Sequence, residues 1–332
     1  MKIRLLIIPI LMLVMACGGM TTPPATTAGQ MNQKDKIAKG YSEEEYLVAV
    51  GLGQSEPEAK NRAKAELSRI FESRIRSDTL DKMRAVLEAS GTEQFEQSIE
   101  SKVRVESDIE LQGVEIAKIV KKGATYKALA VLDRAKARKE WRRRVLDLDA
   151  EADGNMKTYR GAATTLARYR ALREVSDIWV KREVIGSRII VLGFNPPPSP
   201  FDAGEVLRQI PVLRADMPIL LDIRSDYSDV VRDSIGEALG RRGFVMTFEE
   251  SEAAVIIDGT IYVEAVDISH PEWKYARATA SLSVIDAENG QSVSDISEAR
   301  RTAHVSQSEA FEQSVRKVAP MVVEAIIKAI DR

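Results

Sequence analysis

Residues 275–290 have the sequence YARATASLSVIDAENG, in which apolar and polar side chains alternate. Successive side chains of a β-strand point to opposite faces of its sheet, so this period of two predicts a half-buried strand over 275–286. The dipeptide Asn289-Gly290 follows and favours the left-handed backbone of a type I′ turn. We therefore expect 291–303 to return as an antiparallel partner. The apolar positions of the strand are Ala276, Ala278, Ala280, Leu282 and Val284.

Elements on either side of this hairpin complete a predicted C-terminal module over 215–332. Downstream, Ser306 and Glu309 have the spacing of a capping box at the start of a final helix, which Pro320 should kink. Segment 191–214, with its run Asn195-Pro-Pro-Pro-Ser-Pro200, is predicted to be a proline-rich linker. We expect an α/β module with a mixed sheet and a C-terminal helix. Its upstream elements are predicted as strands at 219–223, 243–248 and 253–266 and a helix at 227–241.

The N-terminal half is predicted to be a small α+β domain, 44–134, followed by a helical hairpin, 135–190. In the first domain, Ser55 and Glu58 form a capping box that opens a helix continuing to Ile75. In the hairpin, apolar residues recur three or four apart, and we expect the turn near Gly154. The fold class of the whole chain is therefore α+β. The other elements expected in the first domain are strands at 46–50, 114–121 and 125–132 and helices at 79–89 and 92–103.

Residues 1–16 have the layout of a secretory signal peptide, with Lys2 and Arg4 ahead of an apolar stretch. The segment Val14-Met15-Ala16-Cys17-Gly18 resembles the lipobox of bacterial lipoproteins. This resemblance implies cleavage between Ala16 and Cys17, with diacylglycerol and an N-acyl chain such as palmitate attached to Cys17, and no other cofactor is expected. Residues 17–43 are predicted to be a flexible tether. Gly18 in place of Asp implies export to the outer membrane, with the body facing the periplasm.

Composition disfavours some partners and one kind of stabilisation. Without Lys2 and Arg4 the chain has 46 basic and 50 acidic residues, so no excess of positive charge favours nucleic acid or anionic lipid. Cys17 is the only cysteine, so no internal disulfide can form. We expect the chain to meet the membrane through its lipid anchor and to bind no nucleic acid.

The stretch Tyr46-Leu-Val-Ala-Val-Gly-Leu-Gly53, the alanine-rich helix after it and the segment Ala128-Leu-Ala-Val-Leu-Asp-Arg134 resemble the Lpp-twenty family of bacterial lipoproteins. That family's domain also forms the N-terminal part of flagellar assembly protein T. The C-terminal element order, with Gly259-Thr-Ile-Tyr-Val263, resembles the periplasmic modules of the curli secretion lipoprotein CsgG and the penicillin-binding-protein activator LpoB. No pair of long pore-forming strands is evident, so a secretion channel is not implied. The resemblances imply an envelope scaffold or assembly factor.

Three short motifs suggest ligand sites, and each has a simpler interpretation. Gly51-x-Gly53-x-x-Glu56 begins like a dinucleotide fingerprint, but Glu56 would face the pyrophosphate, which favours a plain tight turn. Asp149-Ala-Glu151-Ala-Asp153-Gly154 spaces its carboxylates like a calcium loop, but Arg160 stands where a bidentate Glu is required, which favours a solvated helix end. His270 and His304 lie in different predicted elements, so no zinc site is expected.

Charged residues after the strand at 125–132 leave two pairs of interpretations open. Asp133 with Arg134 and Arg138 can form a functional ion pair or a structural one at a strand-to-helix junction. The basic run after it can meet lipid headgroups or an acidic partner, although we favour a solvated helix face paired within itself at four-residue spacing. The basic run consists of Arg134, Lys136, Arg138, Lys139, Arg142, Arg143 and Arg144.

No convergent set of nucleophile, base and oxyanion-stabilising groups is evident, so we expect a protein that is not an enzyme. The preferred hypothesis is a lipid-anchored, periplasm-facing scaffold or assembly factor that binds envelope proteins, in flagellar or secretion-related assembly. A second hypothesis is a regulator of a peptidoglycan synthase, and a third is a hydrolase of an envelope polymer. The sequence leaves both a monomer and a homo-oligomer open and identifies no partner-binding residues.

Overall fold

The computed structural model describes residues 37–107 and 113–332. The predicted signal peptide, Cys17 and most of the predicted tether lie outside the described residues. The described α-helices are α1 (Glu56–Ser90), α2 (Glu96–Ser107), α3 (Arg134–Gly161), α4 (Thr165–Val191), α5 (Ala203–Ala215), α6 (Ser228–Arg241) and α7 (Gln307–Asp331). The described strands are β1 (Tyr46–Gly53), β2 (Glu115–Lys122), β3 (Thr125–Asp133), β4 (Ile219–Arg224), β5 (Met246–Thr247), β6 (Val255–Val266), β7 (Lys274–Asp286) and β8 (Gln291–His304). The α+β fold class is confirmed.

The first sheet is antiparallel and has the strand order β1-β3-β2. Helix α1 packs on β1 and β3, and its early turns present small, fully buried alanines to the sheet. Gly51 permits this close approach, since a Cβ there would lie 2.2 Å from the carbonyl oxygen of Ala59 and from the amide nitrogen of Ala63. On the opposite face, Ile37 packs against Val48. The small residues of β1 and α1 therefore set the distance between helix and sheet.

The start of α1 differs in one detail from the predicted capping box. Ser55 caps the helix, because its hydroxyl accepts a hydrogen bond from the backbone N–H of Glu58 at 3.4 Å. The Glu58 carboxylate, however, accepts from the N–H of Gln54 at 2.8 Å, where a capping box requires the N–H of Ser55. The reciprocal bond is thus displaced by one residue.

The predicted separation of α1 from a further helix at 79–89 is wrong. The helix continues to Ser90 because Thr79, Met83 and Leu87 extend the buried stripe of its first half. The hydroxyl of Thr79, fully buried, donates a hydrogen bond of 2.8 Å to Ser187 of α4. The helix ends at Gly91, whose left-handed backbone (φ 66°) is a common C-terminal cap.

Helices α3 and α4 form the predicted hairpin, but the turn lies at 162–164 rather than near Gly154. Gly154 stays within α3, at the usual cost of glycine in a helix of about 1 kcal/mol, while Ala152 beside it is fully buried. The turn forms where Thr164 caps α4 by accepting a hydrogen bond of 3.2 Å from the N–H of Ala167. Helix α4 packs against α1, α2, α3, α5 and α7, which makes it the central helix of the molecule.

The predicted linker is only partly irregular, because α5 occupies its second half. Asp202 caps this helix by accepting a hydrogen bond of 3.2 Å from the N–H of Glu205, and the side chains of Val206 and Ile210 are buried. The proline-rich part has no regular secondary structure and lies against α4, where Arg182 donates to the carbonyl oxygen of Pro197 at 2.8 Å. The proline-rich segment is therefore extended and packs on α4.

The second sheet is mixed and has the strand order β5-β4-β6-β7-β8. Strand β4 runs parallel to β5 and β6, and the other pairs are antiparallel. Helix α7 packs on β6, β7 and β8, and α6 packs on β4 beside α7. The alternation in β7 is confirmed, since its five predicted apolar positions are buried. The predicted strand at 243–248 is too long, because β5 contains two residues.

The β7–β8 connection and the final helix also depart from expectation. The connection is a four-residue loop, 287–290, in which Gly290 has a positive φ of 72° and Asn289 does not. A type I′ turn needs both, so the predicted turn type is wrong although the hairpin is confirmed. Ser306 precedes α7 but makes no capping hydrogen bond with its side chain, so the predicted capping box is wrong. The helix continues through Pro320, and the expected kink stays a prediction.

Buried apolar side chains from both sheets and all seven of the described helices belong to one continuous cluster. A smaller cluster lies on the outer face of the first sheet and includes Ile37, Val48, Leu129 and Val131. The division into units at 44–134, 135–190 and 215–332 stays a prediction.

Candidate partner-binding edge of the N-terminal sheet

Long edge strands expose unpaired backbone N–H and C=O groups, and proteins usually protect them with charges and bulges. Strand β2 carries three lysines and a bulge between Ile116 and Lys118. Strand β8 carries four charged residues, and its pairing shifts between Val284 and Ile285. Strand β1 is also an edge, yet it has no charged residue and an unbroken register. Of these three long edges, β1 alone has neither protection.

The direction of the free backbone groups in β1 follows from two hydrogen bonds. The N–H of Arg134 donates to the carbonyl oxygen of Glu45 at 2.9 Å, so residue 45 and every second residue after it face β3. The even-numbered residues of β1 therefore direct their N–H and C=O groups to the open edge. Arg62 supports this assignment, because its guanidinium donates to the outward carbonyl oxygen of Leu52 at 2.9 Å. Val48 and Val50 stand in the middle of the open edge.

A groove of about 560 Å³ runs between this edge and α1. The backbone of 48–52 lines one wall, Ala65 contributes apolar surface on the other, and Ile70 is 40% exposed at the groove wall. Two arginines and one glutamate line the α1 side: Arg62, Glu66 and Arg69.

The charges of the groove are accessible to a ligand. Arg62 pairs with Glu58 at 2.7 Å and Arg69 pairs with Glu66 at 2.9 Å, and both arginine side chains are well exposed. Exposed ion pairs of this kind contribute little to stability and exchange partners easily. The groove thus combines apolar side chains of α1 with two exposed arginine–glutamate pairs.

Symmetric pairing of two copies through β1 meets a steric obstacle. Paired strands lie about 4.8 Å apart, whereas packed helices need about 8–10 Å between their axes. Because α1 stands directly above Gly51, with its backbone at Ala59 and Ala63 in contact, the α1 helices of two copies would compete for the same space. The edge therefore fits an extended segment that brings no helix on this face.

The glycine motif serves packing rather than phosphate binding. Gly51 and Gly53 lie in β1, and a Cβ at Gly53 would lie 2.6 Å from the amide nitrogen of Ala59. Glu56 opens α1 and pairs with Lys60 at 2.6 Å. The expected tight turn is therefore wrong, because both glycines lie within the strand without a positive φ and make room for the backbone of α1.

The carboxylates of the predicted calcium motif lie on a continuous helix rather than in a loop. Asp149 pairs at 2.5 Å with Arg182, whose side chain is 4% exposed, and Asp153 pairs at 2.6 Å with Lys157 on the surface. Within 37–107 and 113–332, no group of three or more potential metal-binding residues occurs. The motif is part of the α3–α4 interface.

Each of the two histidines accepts hydrogen bonds from backbone N–H groups two or three residues later in the chain. Nδ1 of His270 accepts hydrogen bonds from the backbone N–H groups of Glu272 and Trp273 at 3.2 and 3.0 Å. Nδ1 of His304 accepts from the N–H of Ser306 at 3.2 Å. Each nitrogen is therefore occupied by local backbone.

The basic run does not act as one uniform surface. Asp133 caps α3 by accepting from the N–H of Lys136 at 2.8 Å, while Arg134 donates to the carbonyl oxygen of Leu192 at 2.9 Å. Arg138 stacks on Phe194 at 4.2 Å. Within the run's helix, the ion pair of Arg143 with Glu140 spans three residues rather than four. The junction is thus structural, and the expected ladder of four-residue pairs is largely wrong.

Comparison with known proteins adds no family assignment. No known family model and no curated protein matches the chain. Among solved structures, it is similar to the secreted protein HP1454 of Helicobacter pylori, at 14% identity and a TM-score of 0.44, covering 85% of this chain and 98% of that one. It is also similar to the minor lipoprotein of Acinetobacter baumannii, at 9% identity and a TM-score of 0.28, covering 34% and 91%. The resemblances to the Lpp-twenty family and to CsgG and LpoB stay predictions.

In the described ranges, no helix is both long and apolar enough to cross a membrane. Lipidation at Cys17 and cleavage after Ala16 stay predictions, since both residues lie outside those ranges. The sequence predicted a strand at 46–50 but not its open edge. A signal was present, because 46–53 lacks charge while 118–122 is rich in lysine.

Proposed function

We propose that this chain is a lipid-anchored envelope protein that captures an extended segment of a partner protein along the open edge of β1. It acts as a periplasm-facing scaffold at the outer membrane and catalyses no reaction. The observation that carries the proposal is the uncharged, unbulged edge of β1 beside an apolar groove. Adding a strand to an exposed edge is a recurrent mode of peptide recognition, in which backbone bonds supply affinity and side-chain pockets supply specificity.

The groove defines the chemistry of the segment. Backbone groups of the partner pair with Val48 and Val50, whose N–H and C=O groups point outward. Alternate side chains then face α1, where a small or apolar residue fits beside Ala65 and Ile70. Acidic residues near either end replace the exposed glutamate partners of Arg62 and Arg69. The partner segment is therefore extended, apolar at its centre and acidic toward its ends.

The test uses a photo-crosslinking residue at position 70 of the full chain in its own membranes. We expect one discrete adduct with an envelope protein, which Val50→Lys abolishes because a lysine charge blocks strand addition. Val120→Lys is the matched control, since Val120 lies on the protected edge β2 of the same sheet. Circular dichroism must show that both variants keep the wild-type helix content.

The adduct also distinguishes the candidate roles. A flagellar or secretion component supports an assembly factor, and a penicillin-binding protein supports regulation of a peptidoglycan synthase. An adduct that survives Val50→Lys, or that Val120→Lys removes equally, contradicts docking at β1. Amide exchange gives a second measure: bound partner should slow exchange at Val48 and Val50 and leave the already protected Ala49 unchanged.

A further inference from the structure

A second cavity, of about 480 Å³, lies where α2, α4, α5, α6 and α7 meet. Four arginines line it, namely Arg173, Arg214, Arg241 and Arg242, against one carboxylate, that of Asp331. Phe244 and Ile327 contribute apolar surface beside them. Its size falls in the range of small-molecule sites, and its lining combines apolar side chains with several convergent charges.

Arg214 is held by several contacts but has no carboxylate partner within 37–107 and 113–332. Its guanidinium lies 4.9 Å from the ring centre of Phe244 and donates to the hydroxyl of Tyr169 at 2.9 Å and to the carbonyl oxygen of Arg242 at 2.8 Å. Its Nε is buried and finds no hydrogen-bond partner among the described residues. A stacked, pre-oriented arginine of this kind suits recognition of a planar or tetrahedral oxyanion.

The other three arginines are compensated to different degrees. Arg173 is paired with Asp331 at 3.5 Å, and both side chains are largely buried. Arg241 and Arg242 pair at 2.5 Å with Glu237 and Glu324, all on exposed side chains. Water screens such pairs, so their guanidinium groups stay available to a stronger anion.

We propose that this cavity binds a phosphate-bearing organic anion. A single carboxylate has two oxygens and is satisfied by one arginine fork, whereas a phosphomonoester carries up to two charges and three free acceptor oxygens. Arg214, Arg241 and Arg242 supply donors on several sides, which matches the phosphate better. The apolar wall at Phe244 and Ile327 accommodates the organic part of the ligand. The phosphate can belong to a soluble ester or to a lipid headgroup.

The first arm of the test is calorimetric titration of the full chain in detergent with inorganic pyrophosphate at low salt. We expect saturable binding that weakens about tenfold in Arg242→Gln, because one charge-assisted hydrogen bond is lost. Arg143→Gln is the matched control, as it removes an exposed intrahelical ion pair of Arg143 with Glu140, remote from the lining residues. It should bind like wild type.

The second arm separates the two sources of phosphate. The full chain carrying Cys17→Ser, which removes the predicted lipid attachment, is mixed with vesicles of phosphatidylcholine that do or do not contain phosphatidic acid, whose headgroup is a phosphomonoester. Sedimentation only with vesicles that contain phosphatidic acid, again weakened by Arg242→Gln, identifies a lipid headgroup. Pyrophosphate binding without sedimentation on either kind of vesicle identifies a soluble ester. Absence of saturable binding to both probes, or equal weakening by Arg143→Gln, overturns the proposal.

Discussion

Replacing Gly51 by alanine puts a methyl group where the backbone of α1 already lies. The new Cβ would stand 2.2 Å from the carbonyl oxygen of Ala59 and from the amide nitrogen of Ala63, whereas ordinary contacts of this kind lie at 3.4–4 Å. The helix must therefore move from the strand by more than about 1 Å, because neither backbone can rotate out of the way as a side chain can.

The expected cost follows from what that movement uncovers. Ala59 and Ala63 are fully buried, and a gap of about 1 Å forfeits up to half of the dispersion energy of each contact. Overpacking of a tight core typically costs 1–3 kcal/mol. Since the clash is with backbone on both sides, we expect Gly51→Ala to lower the free energy of unfolding by about 3 kcal/mol.

Urea unfolding followed by circular dichroism measures this loss, with Gly154→Ala as the control. A Cβ at Gly154 has nothing within 4 Å, and alanine is the better helix former, so this variant should be more stable by about 0.5–1 kcal/mol. A change below about 0.5 kcal/mol in Gly51→Ala would refute the argument that the helix rests on the strand backbone.

Two further predictions concern buried polar groups. Asp149→Ala should lower the free energy of unfolding by about 3 kcal/mol, because it leaves the buried Arg182 without its main carboxylate partner. The control Asp153→Ala breaks an exposed pair and should change that free energy by less than about 0.5 kcal/mol in the same urea assay. Burial, followed by the nearby Asp331 carboxylate, raises the pKa of Tyr169 from 10.0 to about 12. The folded state then keeps a proton that the unfolded state loses. The free energy of unfolding should therefore fall by about 2–3 kcal/mol between pH 10 and 12. Tyr169→Phe should flatten that part of the pH profile, and an unchanged fall in this variant would assign it to other groups.

Local patterns predicted most elements because they depend on neighbouring residues. The alternation in β7 required only burial of one face of the strand, and the capping boxes and apolar spacing of the helices are likewise local signals. Boundaries failed where distant residues decide them. Thr79 has a polar side chain that favours a break, yet Ser187 of α4 satisfies its hydroxyl and the helix continues. The prolines near Pro197 predicted a linker where α5 follows, although Asp202 provides a local capping signal for that helix.

The two candidate sites were harder to predict, for different reasons. Strand β1 was expected, but its free edge depends on pairing with β3, which lies some 80 residues later in the chain. The arginine cavity combines Arg173, Arg214 and Arg242 from three separate elements, and no spacing in the sequence relates them. Tertiary packing alone brings these guanidinium groups together.

Helix α4 has a mechanical consequence. Its 27 residues span about 40 Å, and it packs against five other helices along that length. Arg173 of α4 lines the arginine cavity, and α1, which forms one wall of the β1 groove, packs on α4. The two proposed binding sites are therefore connected through packed helices rather than through a loop. A partner segment bound at β1 would then lie at a fixed distance from a ligand bound in the cavity.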